Sequence, residues 1–313
     1  MAPLISICIP AYKNKSFLDR LLDSVRIQTF KDFEVILTDD SPDNELEALC
    51  REYSHEFPLR YYKNDKPLGT PANWNYAISK ANGEWIKLMH DDDWFVDEKS
   101  LQHFAVAALR NAQESFIFSG YIEKEKAVIK KRYLISTFEL FLLKRSPLNL
   151  FKKNFVGHPS TTLVKNNRQE WYDERIRWVV DFEFYIRCLR KHKFIAIKKK
   201  LIYVGLNEQQ VTKKVFRNLQ VELVENFYLL NKLGKSCLKN VFVYDYFWRL
   251  FRNLNIRGVN QINCYVSADK VSNEIKQMLS FQKKIPTQIL KIGLFSKFLM
   301  LISKTRHGFL HET

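Results

Sequence analysis

The chain has 313 residues, of which 46% are hydrophobic and 27% are charged, and its formal net charge is +16. This length and composition exclude an intrinsically disordered chain and allow one large domain or two smaller ones. The charge is unevenly distributed, because residues 1–120 contain 13 basic and 19 acidic residues whereas residues 121–313 contain 37 and 15. The C-terminal part is therefore expected to meet a polyanion, either nucleic acid or an anionic membrane surface, unless it is only a solvated basic face.

The cysteines are scattered and form no C-x-x-C pair; they are Cys8, Cys50, Cys188, Cys237 and Cys264. This pattern suggests neither a zinc site nor a disulfide framework, and it favours a reducing compartment. The first residues lack a basic segment followed by a long apolar stretch, so no secretory signal is predicted. No window of 18 uncharged apolar residues indicates a transmembrane helix. These features predict a cytoplasmic protein.

The first hundred residues alternate between short apolar strands and amphipathic helices. Strands are predicted at Leu4–Ile9, Phe33–Leu37, Leu59–Tyr62 and Trp85–Met89. Helices are predicted after Ser16, at Glu45–Tyr53 and at Pro71–Lys80. This alternation predicts an α/β fold with a Rossmann-like, mostly parallel central sheet flanked by helices.

The remainder of the chain is less regular. Further strands are predicted at Phe116–Ser119, Thr161–Val164 and Phe194–Val204, and Glu123–Arg132 is either a loop or an exposed hairpin. Helices are predicted at Asp181–His192, Phe216–Leu233, Val241–Leu254, Ser267–Met278 and Ile289–Ser303. We place a domain boundary near residue 212, which leaves a helical, basic C-terminal region at 213–313.

Acidic residues follow two of the predicted strands at the point where each strand ends. Asp39 and Asp40 follow the second strand, and Asp91–Asp93 follow the fourth. Ligands of parallel α/β sheets bind beyond the carboxyl ends of the strands, so both clusters are expected at one rim. Adjacent carboxylates repel unless a cation binds, and their hard oxygens suit Mg²⁺ or Mn²⁺ beside substrate phosphates. A solvated acidic turn is the alternative.

Four sequence blocks resemble, in order and spacing, those of family 2 glycosyltransferases with the GT-A fold. The blocks are ISICIPAYK at Ile5–Lys13, SVRIQTFKDFEVILTDDSPD at Ser24–Asp43, GTPANWN at Gly69–Asn75 and ANGEWIKLMHDDDW at Ala81–Trp94. The resemblance covers the first third of the chain densely. It implies a GT-A catalytic domain at residues 1–212, with a nucleotide-sugar-binding half at 1–115 and an acceptor and catalytic half at 116–212.

The resemblance implies roles for individual residues. The donor-binding residues would be Pro10, Ala11, Tyr12, Asp39, Asp40, Asn75, Asp91 and Asp92. Asp40 would bond the nucleotide base, and Asp91 would approach the ribose or the sugar. Asp92 and Asp93 would address the metal, and the sequence leaves open which of them ligates it. His90 stands where the family often has Asp, and we interpret it as a satisfied strand-end histidine.

The segment Val179–Arg187 (VVDFEFYIR) resembles the family element that carries the catalytic base. By this match Asp181 is the base, with Glu183 as its rival and a plain N-cap aspartate as the structural alternative. The helix dipole favours the ionised carboxylate at this position. Many members carry a histidine shortly before a Q-V-T element, whereas this chain reads Gly205-Leu206-Asn207. Asn207 or Gln210 would then substitute, or the site lacks this ligand.

Residues 281–309 contain Lys283, Lys284, Lys291, Lys297, Lys304 and Arg306 and no acidic residue. Apolar residues recur beside them at helical spacing: Ile289, Ile292, Phe295, Leu299 and Ile302. This pattern predicts an interfacial helix on an anionic membrane surface, with packing against its own domain as the alternative. No recognised nucleic-acid-binding module is present, so nucleic acid is not expected as a partner.

These observations predict an inverting, metal-dependent glycosyltransferase that uses a nucleotide-sugar donor, with UDP-sugars the commonest class in the family. The resemblance implies a glycan or lipid-linked acceptor in cell-surface polysaccharide synthesis, and a cytoplasmic location, peripheral on the inner face of the membrane. A catalytically silent sugar-nucleotide-binding scaffold on the same fold is the alternative. A nucleotidyltransferase would need a glycine-rich loop after the first strand, which Pro10–Lys13 does not provide.

Overall fold

The computed structural model describes residues 2–111, 113–207 and 218–308 of the chain. Contacts between residues divide it into two units. The first comprises the described residues of Met1–Leu140 and Phe155–Gln210, and the second those of Phe141–Asn154 and Val211–Thr313. The predicted boundary at 212 lies outside the described residues, and the division of residues 1–212 into two halves stays a prediction.

In the described part of the chain, the first unit consists of a nine-stranded β-sheet and the helices that connect its strands. Its strands are β1 (Ile5–Ala11), β2 (Phe33–Asp39), β3 (Leu59–Lys63), β4 (Trp85–Leu88), β5 (Trp94–Phe95), β6 (Phe116–Glu125), β7 (Val128–Tyr133), β8 (Thr162–Lys165) and β9 (Phe194–Gly205). Its helices are α1 (Lys15–Arg26), α2 (Glu45–Tyr53), α3 (Ala72–Ser79), α4 (Ser100–Arg110) and α6 (Val180–Lys191), and α5 (Thr137–Arg145) begins in it.

The strand order among the described residues is β3-β2-β1-β4-β8-β6-β9-β5, with β7 paired to β6. The pairs β1–β2, β2–β3, β1–β4 and β6–β9 are parallel. The pairs β4–β8, β5–β9, β6–β7 and β6–β8 are antiparallel. The α/β prediction is confirmed, but the sheet is parallel throughout only up to β4. The segment predicted as a loop or hairpin is the β6–β7 hairpin, whose short turn at Lys126 requires antiparallel strands.

The strands β1, β2 and β4 are buried along their whole lengths. Half of their residues are β-branched or leucine, as expected of parallel strands covered on both faces. Because β1 lies between β2 and β4, the strand ends at Ala11 and Asp39 and the turn after Leu88 share one edge of the sheet. This edge is where the predicted acidic clusters meet.

The second unit is helical, as predicted for the C-terminal region. Its further helices are α7 (Leu219–Leu233), α8 (Val241–Asn253), α9 (Val259–Asn263), α10 (Asn273–Lys283), α11 (Thr287–Lys291) and α12 (Gly293–Gly308). Phe247 and Phe251 of α8 pack against Phe227 at centroid distances of 6.1 and 6.2 Å. The helix predicted at Ile289–Ser303 is divided into α11 and α12 at Ile292. None of the helices in the described part of the chain has the length and apolarity to span a bilayer.

Candidate active site

A tight turn after β4 carries four consecutive ionisable side chains, His90 to Asp93. The Met89 N–H donates to the Cys8 carbonyl (2.9 Å), so the chain stays paired with β1 until the turn begins. The Asp93 N–H donates to the His90 carbonyl (3.1 Å) and closes the turn, and β5 starts at the next residue. One short turn therefore holds all four side chains at the edge of the sheet.

Each carboxylate of the turn accepts a hydrogen bond from a different residue of the neighbouring strand ends. The bonds join Tyr12 N to Asp91 (3.1 Å), Asn207 Nδ2 to Asp92 (2.7 Å) and Gly205 N to Asp93 (3.0 Å). Tyr12 follows β1, whereas Gly205 and Asn207 lie at the end of β9. Asn207, at the position where the family histidine is missing, thus contacts the acidic turn directly.

Gly205 lies too close to the acidic turn to carry a side chain. A Cβ at this position would be 2.2 Å from the carbonyl oxygen of Asp92. We expect Gly205→Ala to lower the free energy of unfolding by about 1–3 kcal/mol, because the turn or β9 must move. Chemical denaturation measures this change. The control is Gly258→Ala, where no heavy atom lies within 4 Å of the added Cβ; equal losses at both positions would contradict the steric argument.

His90, Asp92 and Asp93 form a cluster that suits a metal ion. One ligand atom from each residue lies within 4.8 Å of the other two. The His90 Nε2 is buried and has no hydrogen-bond partner among the described residues, so the interpretation of His90 as a satisfied strand-end histidine is wrong. Burial lowers the pKa of His90 to about 3, which keeps the imidazole neutral and its lone pair available to a cation.

The surroundings of the carboxyl groups in the turn disfavour their ionised form. Burial, together with the charge of Asp92, raises the pKa of Asp91 and of Asp93. The buried Lys87 offers limited compensation, because burial lowers its pKa to about 7 against the opposing effect of Asp93. A divalent cation would relieve the repulsion that these groups experience.

Arg20 of α1 supports the backbone of the turn. Its guanidinium donates to the Asp92 carbonyl (2.9 Å) and lies over the Trp94 ring, with Cζ 3.7 Å from the centroid. Trp94 in turn stacks on Tyr203 of β9 at a centroid distance of 5.1 Å. These contacts fix the backbone of the turn at the Asp92 carbonyl and do not involve its carboxylates.

Asp181 lies in the first turn of α6, and its Oδ1 is buried with no hydrogen-bond partner in the described part of the chain. Burial raises the pKa of Asp181 to about 6, and the charge of His158 partly opposes this shift. Burial therefore outweighs the helix dipole, although the carboxylate is still ionised at neutral pH. Both oxygens of Glu183, the rival base, accept hydrogen bonds from Arg187 (2.8 and 3.1 Å). Of the two carboxylates, Asp181 is the better placed to accept a proton.

His158 connects Asp181 with the acidic turn electrostatically. Burial lowers the pKa of His158, but its contact with Glu123 (Nε2 to Oε1, 3.9 Å) and the charges of Asp93 and Asp181 outweigh this effect and raise it overall. The turn that contains His158 also contacts the acidic turn directly, because the His90 N–H donates to the Ser160 hydroxyl (2.9 Å), so we treat these groups as one candidate site. The sequence patterns described above indicate no role for His158. No local motif links it to Glu123.

Asp39 and Asp40 are buried and both accept hydrogen bonds within the fold. Asp39 accepts from the Tyr61 hydroxyl (2.7 Å), the Lys63 amine (3.1 Å) and Ser41 N (2.7 Å). Asp40 accepts from Asn64 Nδ2 (2.6 Å), Leu68 N (3.0 Å) and Gly69 N (2.8 Å). Asp40 thus holds the loop at 64–69 beside the end of β2, and Asp39 joins the end of β2 to β3. Their contacts to a donor stay a prediction.

The other predicted donor residues differ in accessibility. Pro10 and Ala11 are buried at the end of β1, whereas the Tyr12 side chain is 50% exposed. The Asn75 amide donates to the Tyr172 carbonyl and the Glu174 carboxylate (both 2.8 Å) and accepts from Tyr172 N (2.9 Å). Asn75 therefore braces the segment at 172–174, and its donor contact stays a prediction.

Comparison with known proteins places these residues in a family. The profile described as Glycosyl transferase family 2 matches residues 6–167. An uncharacterized glycosyltransferase of Methanocaldococcus jannaschii is 26% identical over 259 residues, which cover 80% of this chain and 85% of that protein. The GalNAc(5)-diNAcBac-PP-undecaprenol beta-1,3-glucosyltransferase of Campylobacter jejuni is 25% identical over 183 residues, 52% of this chain and 59% of that protein.

Solved structures share the fold. The structure is similar to S. aureus TarS 1–349, with a TM-score of 0.59 and 17% identity over 98% of this chain and 92% of that one. A longer TarS chain is matched over 55% of its length. A mannosyltransferase from Pyrobaculum calidifontis, in complex with GDP-Man and Mn²⁺, gives a TM-score of 0.57 at 14% identity, covering 100% of this chain and 89% of that one.

Proposed function

The chain belongs to glycosyl transferase family 2 and has the GT-A fold, and from this we propose that it transfers a sugar from a nucleotide-sugar donor to a hydroxyl group of a glycan or lipid-linked acceptor, with inversion. One observation carries the proposal: Trp74 packs against His90 of the acidic turn and against Tyr172, with centroid distances of 4.7 and 5.1 Å, and Tyr172 stacks on Phe184 of the helix that carries Asp181, at 4.0 Å. A base and a charge-neutralising centre therefore lie in one site. Inverting transfer requires both.

His90, Asp92 and Asp93 would hold a divalent ion, Mn²⁺ or Mg²⁺. The fit rests on the neutral, unpartnered His90 nitrogen and on two carboxylates within 4.8 Å of it. When bound, such an ion neutralises charge on the departing nucleoside diphosphate. The mannosyltransferase of similar fold was solved with Mn²⁺, which supports this assignment.

The donor would lie along the edge formed by the ends of β1, β2 and β4. Pro10 and Ala11 shape its floor, and the half-exposed Tyr12 offers a ring face to the base. Asp40 would hold the loop at 64–69 beside the nucleotide, and Asp39 would hold the neighbouring end of β3. TarS has been solved with UDP and with UDP-GlcNAc, so a UDP-sugar is the first donor class to test.

Asp181 would act as the general base. Its carboxylate takes the proton of the acceptor hydroxyl while the acceptor oxygen bonds to the anomeric carbon and the bond to the diphosphate breaks. The C. jejuni relative is named as acting on an undecaprenyl-diphosphate glycan, which supports a lipid-linked acceptor for this chain.

The rate should depend on pH through Asp181. The base works only when ionised, so log(kcat/KM) should rise by about one unit per pH unit below a pKa of about 6 and level off above it. The charge of His158 partly opposes the effect of burial on this pKa, and the nearby Tyr172 and Tyr185 stay neutral because burial raises their pKa well above 10. A pH profile at saturating metal tests this. An inflection below pH 4, or none, would contradict it.

Asn207 would position Asp92 for the metal through its 2.7 Å hydrogen bond. We expect Asn207→Ala to weaken Mn²⁺ binding about 10- to 100-fold, as for other residues that orient a metal ligand. Calorimetric titration of Mn²⁺ measures this. Asn82→Ala, at an exposed position, is the matched control and should leave the affinity unchanged; equal losses in both variants would remove Asn207 from the site.

The first test of the function is a thermal-shift panel of UDP-, GDP-, dTDP- and CMP-sugars, each with and without Mn²⁺. One nucleotide class should raise the melting temperature in a metal-dependent manner. Product formation with that donor then separates an active transferase from a silent sugar-nucleotide-binding scaffold. If no nucleotide raises the melting temperature with or without metal, the donor site is wrongly assigned.

A further inference from the structure

The helix α12 packs through its serine side. Ser296, Met300 and Ser303 are buried. The Ser296 hydroxyl accepts from Trp248 Nε1 (3.0 Å), and the Ser303 hydroxyl pairs with the Tyr244 hydroxyl (2.8 Å). Both partners belong to α8. The hydrogen bonds therefore fix the rotation of α12 and direct its most apolar side away from α8.

The opposite side of α12 presents large apolar side chains to solvent. Leu294, Phe295, Phe298 and Leu301 are 82%, 58%, 62% and 47% exposed. Leu294, Phe298 and Leu301 follow at intervals of four and three residues, so they form one line along the helix. We name these four residues the α12 apolar stripe. A contiguous patch of this kind marks an interaction surface, whereas singly exposed apolar residues do not.

Exposed lysines stand close to the stripe in the sequence, in a segment that contains no acidic residue. Lys283, Lys284, Lys291 and Lys297 are exposed, and residues 281–306 contain no Asp or Glu. Lys304 is not part of this set, because its amine donates to the Lys239 carbonyl (2.8 Å). Two copies of the chain meeting through the stripe would bring like charges together, whereas anionic headgroups would neutralise them.

We propose that the α12 apolar stripe and these four lysines form a docking surface for an anionic lipid bilayer. The helix would lie in the plane of the interface, with Leu294 and Phe298 among the acyl chains and the lysines at the headgroups. The serine contacts to α8 would hold it in that orientation. Binding to lipid does not require the transfer reaction, so each proposal can fail without the other.

Vesicle co-sedimentation of the full chain tests the stripe. Vesicles of phosphatidylcholine with 30% phosphatidylglycerol should bind the protein, and Leu294→Gln/Phe298→Ser should lower the partition coefficient at least tenfold. Leu109→Gln on α4, where the leucine is 64% exposed, is the control and should bind as wild type. Unchanged melting temperatures verify that the variants fold. Equal binding by wild type and the double variant would overturn the proposal.

A second variant tests the charge. Replacing Lys283, Lys284, Lys291 and Lys297 by Gln should remove the preference for anionic over pure phosphatidylcholine vesicles, by a factor of about five per lysine near the surface. Added salt should weaken wild-type binding in the same direction. Size-exclusion chromatography with light scattering determines whether a second copy of the chain binds the stripe instead. A dimer that the double variant dissociates, with no vesicle binding, would assign the stripe to a second copy and reject the lipid.

Discussion

Replacing Asp181 by Asn is expected to lower kcat by about 10²–10⁴ while making the protein more stable. The loss follows because the amide cannot take the acceptor proton. The gain follows because Asn removes a buried negative charge whose Oδ1 has no hydrogen-bond partner among the described residues. Initial rates and chemical denaturation at pH 7.5 measure the two effects on the same preparation.

The stability change has a defined pH dependence. The pKa of Asp181 is about 6 in the folded protein against 3.8 for an ordinary aspartate, so ionisation costs stability above pH 6 and nothing below pH 4. The wild type thus loses up to about 3 kcal/mol as the pH rises through this window, and Asp181→Asn does not. The advantage of the variant should therefore disappear at pH 4. A constant difference across the range would mean that ionisation is not its cause.

Glu183→Gln, two residues further along the same helix, provides a matched control. This substitution weakens the paired hydrogen bonds with Arg187, so stability should fall by about 3–5 kcal/mol while folded molecules keep most of their activity. The two variants should thus change stability in opposite directions, and only Asp181→Asn should lower turnover strongly. If Glu183→Gln abolishes turnover in folded protein and Asp181→Asn does not, Glu183 is the base.

Replacing Asp92 and Asp93 together by Asn is expected to abolish Mn²⁺ binding and to lower kcat/KM by at least about 10³. The double substitution removes two of the carboxylate ligands that a hard cation prefers. It leaves the Asp91 carboxylate and the neutral imidazole of His90. Metal-free protein should at the same time become more stable, since the repulsion that raises the pKa of Asp91 is relieved. Titration calorimetry and melting with and without Mn²⁺ measure these changes.

Asp269→Asn is the control for this variant. It removes one exposed carboxylate in the second unit and should change neither metal affinity nor melting temperature. His90→Ala should weaken metal binding but should not stabilise the metal-free protein, because it removes no negative charge. Turnover of the Asp92/Asp93 double variant that still depends on Mn²⁺ would place the metal elsewhere.

Several features of the site were within reach of sequence reasoning. The acidic turn follows an apolar strand, and the order of the blocks indicated the family and the GT-A fold, both of which are confirmed. Local patterns of this kind can be recognised in the sequence because neighbouring residues determine strand ends, turns and helix starts. The helix carrying Asp181 begins within one residue of its predicted start for the same reason.

Other features depend on residues that meet only after folding. His90 stands beside the acidic residues in sequence, yet its unpartnered nitrogen follows from burial and not from the motif. The contacts of Asn207 to Asp92 and of Asn75 to Tyr172 join positions that are 115 and 97 residues apart. Likewise, the periodicity of α12 predicted two faces, but only the hydrogen bonds to α8 decided that the serine face is the buried one.

The amino-acid sequence by itself thus determined the family, the α/β fold, the helical basic region and the acidic turn, because these depend on local composition and spacing. The tertiary structure decided the antiparallel half of the sheet, the third candidate metal ligand and the different surroundings of Asp181 and Glu183, on which the proposal of Asp181 as the base rests. Burial and long-range pairing set those outcomes. The two carboxylates of α6 lie two residues apart on one helix, and Arg187 neutralises Glu183 while Asp181 stays in a buried site without such a partner.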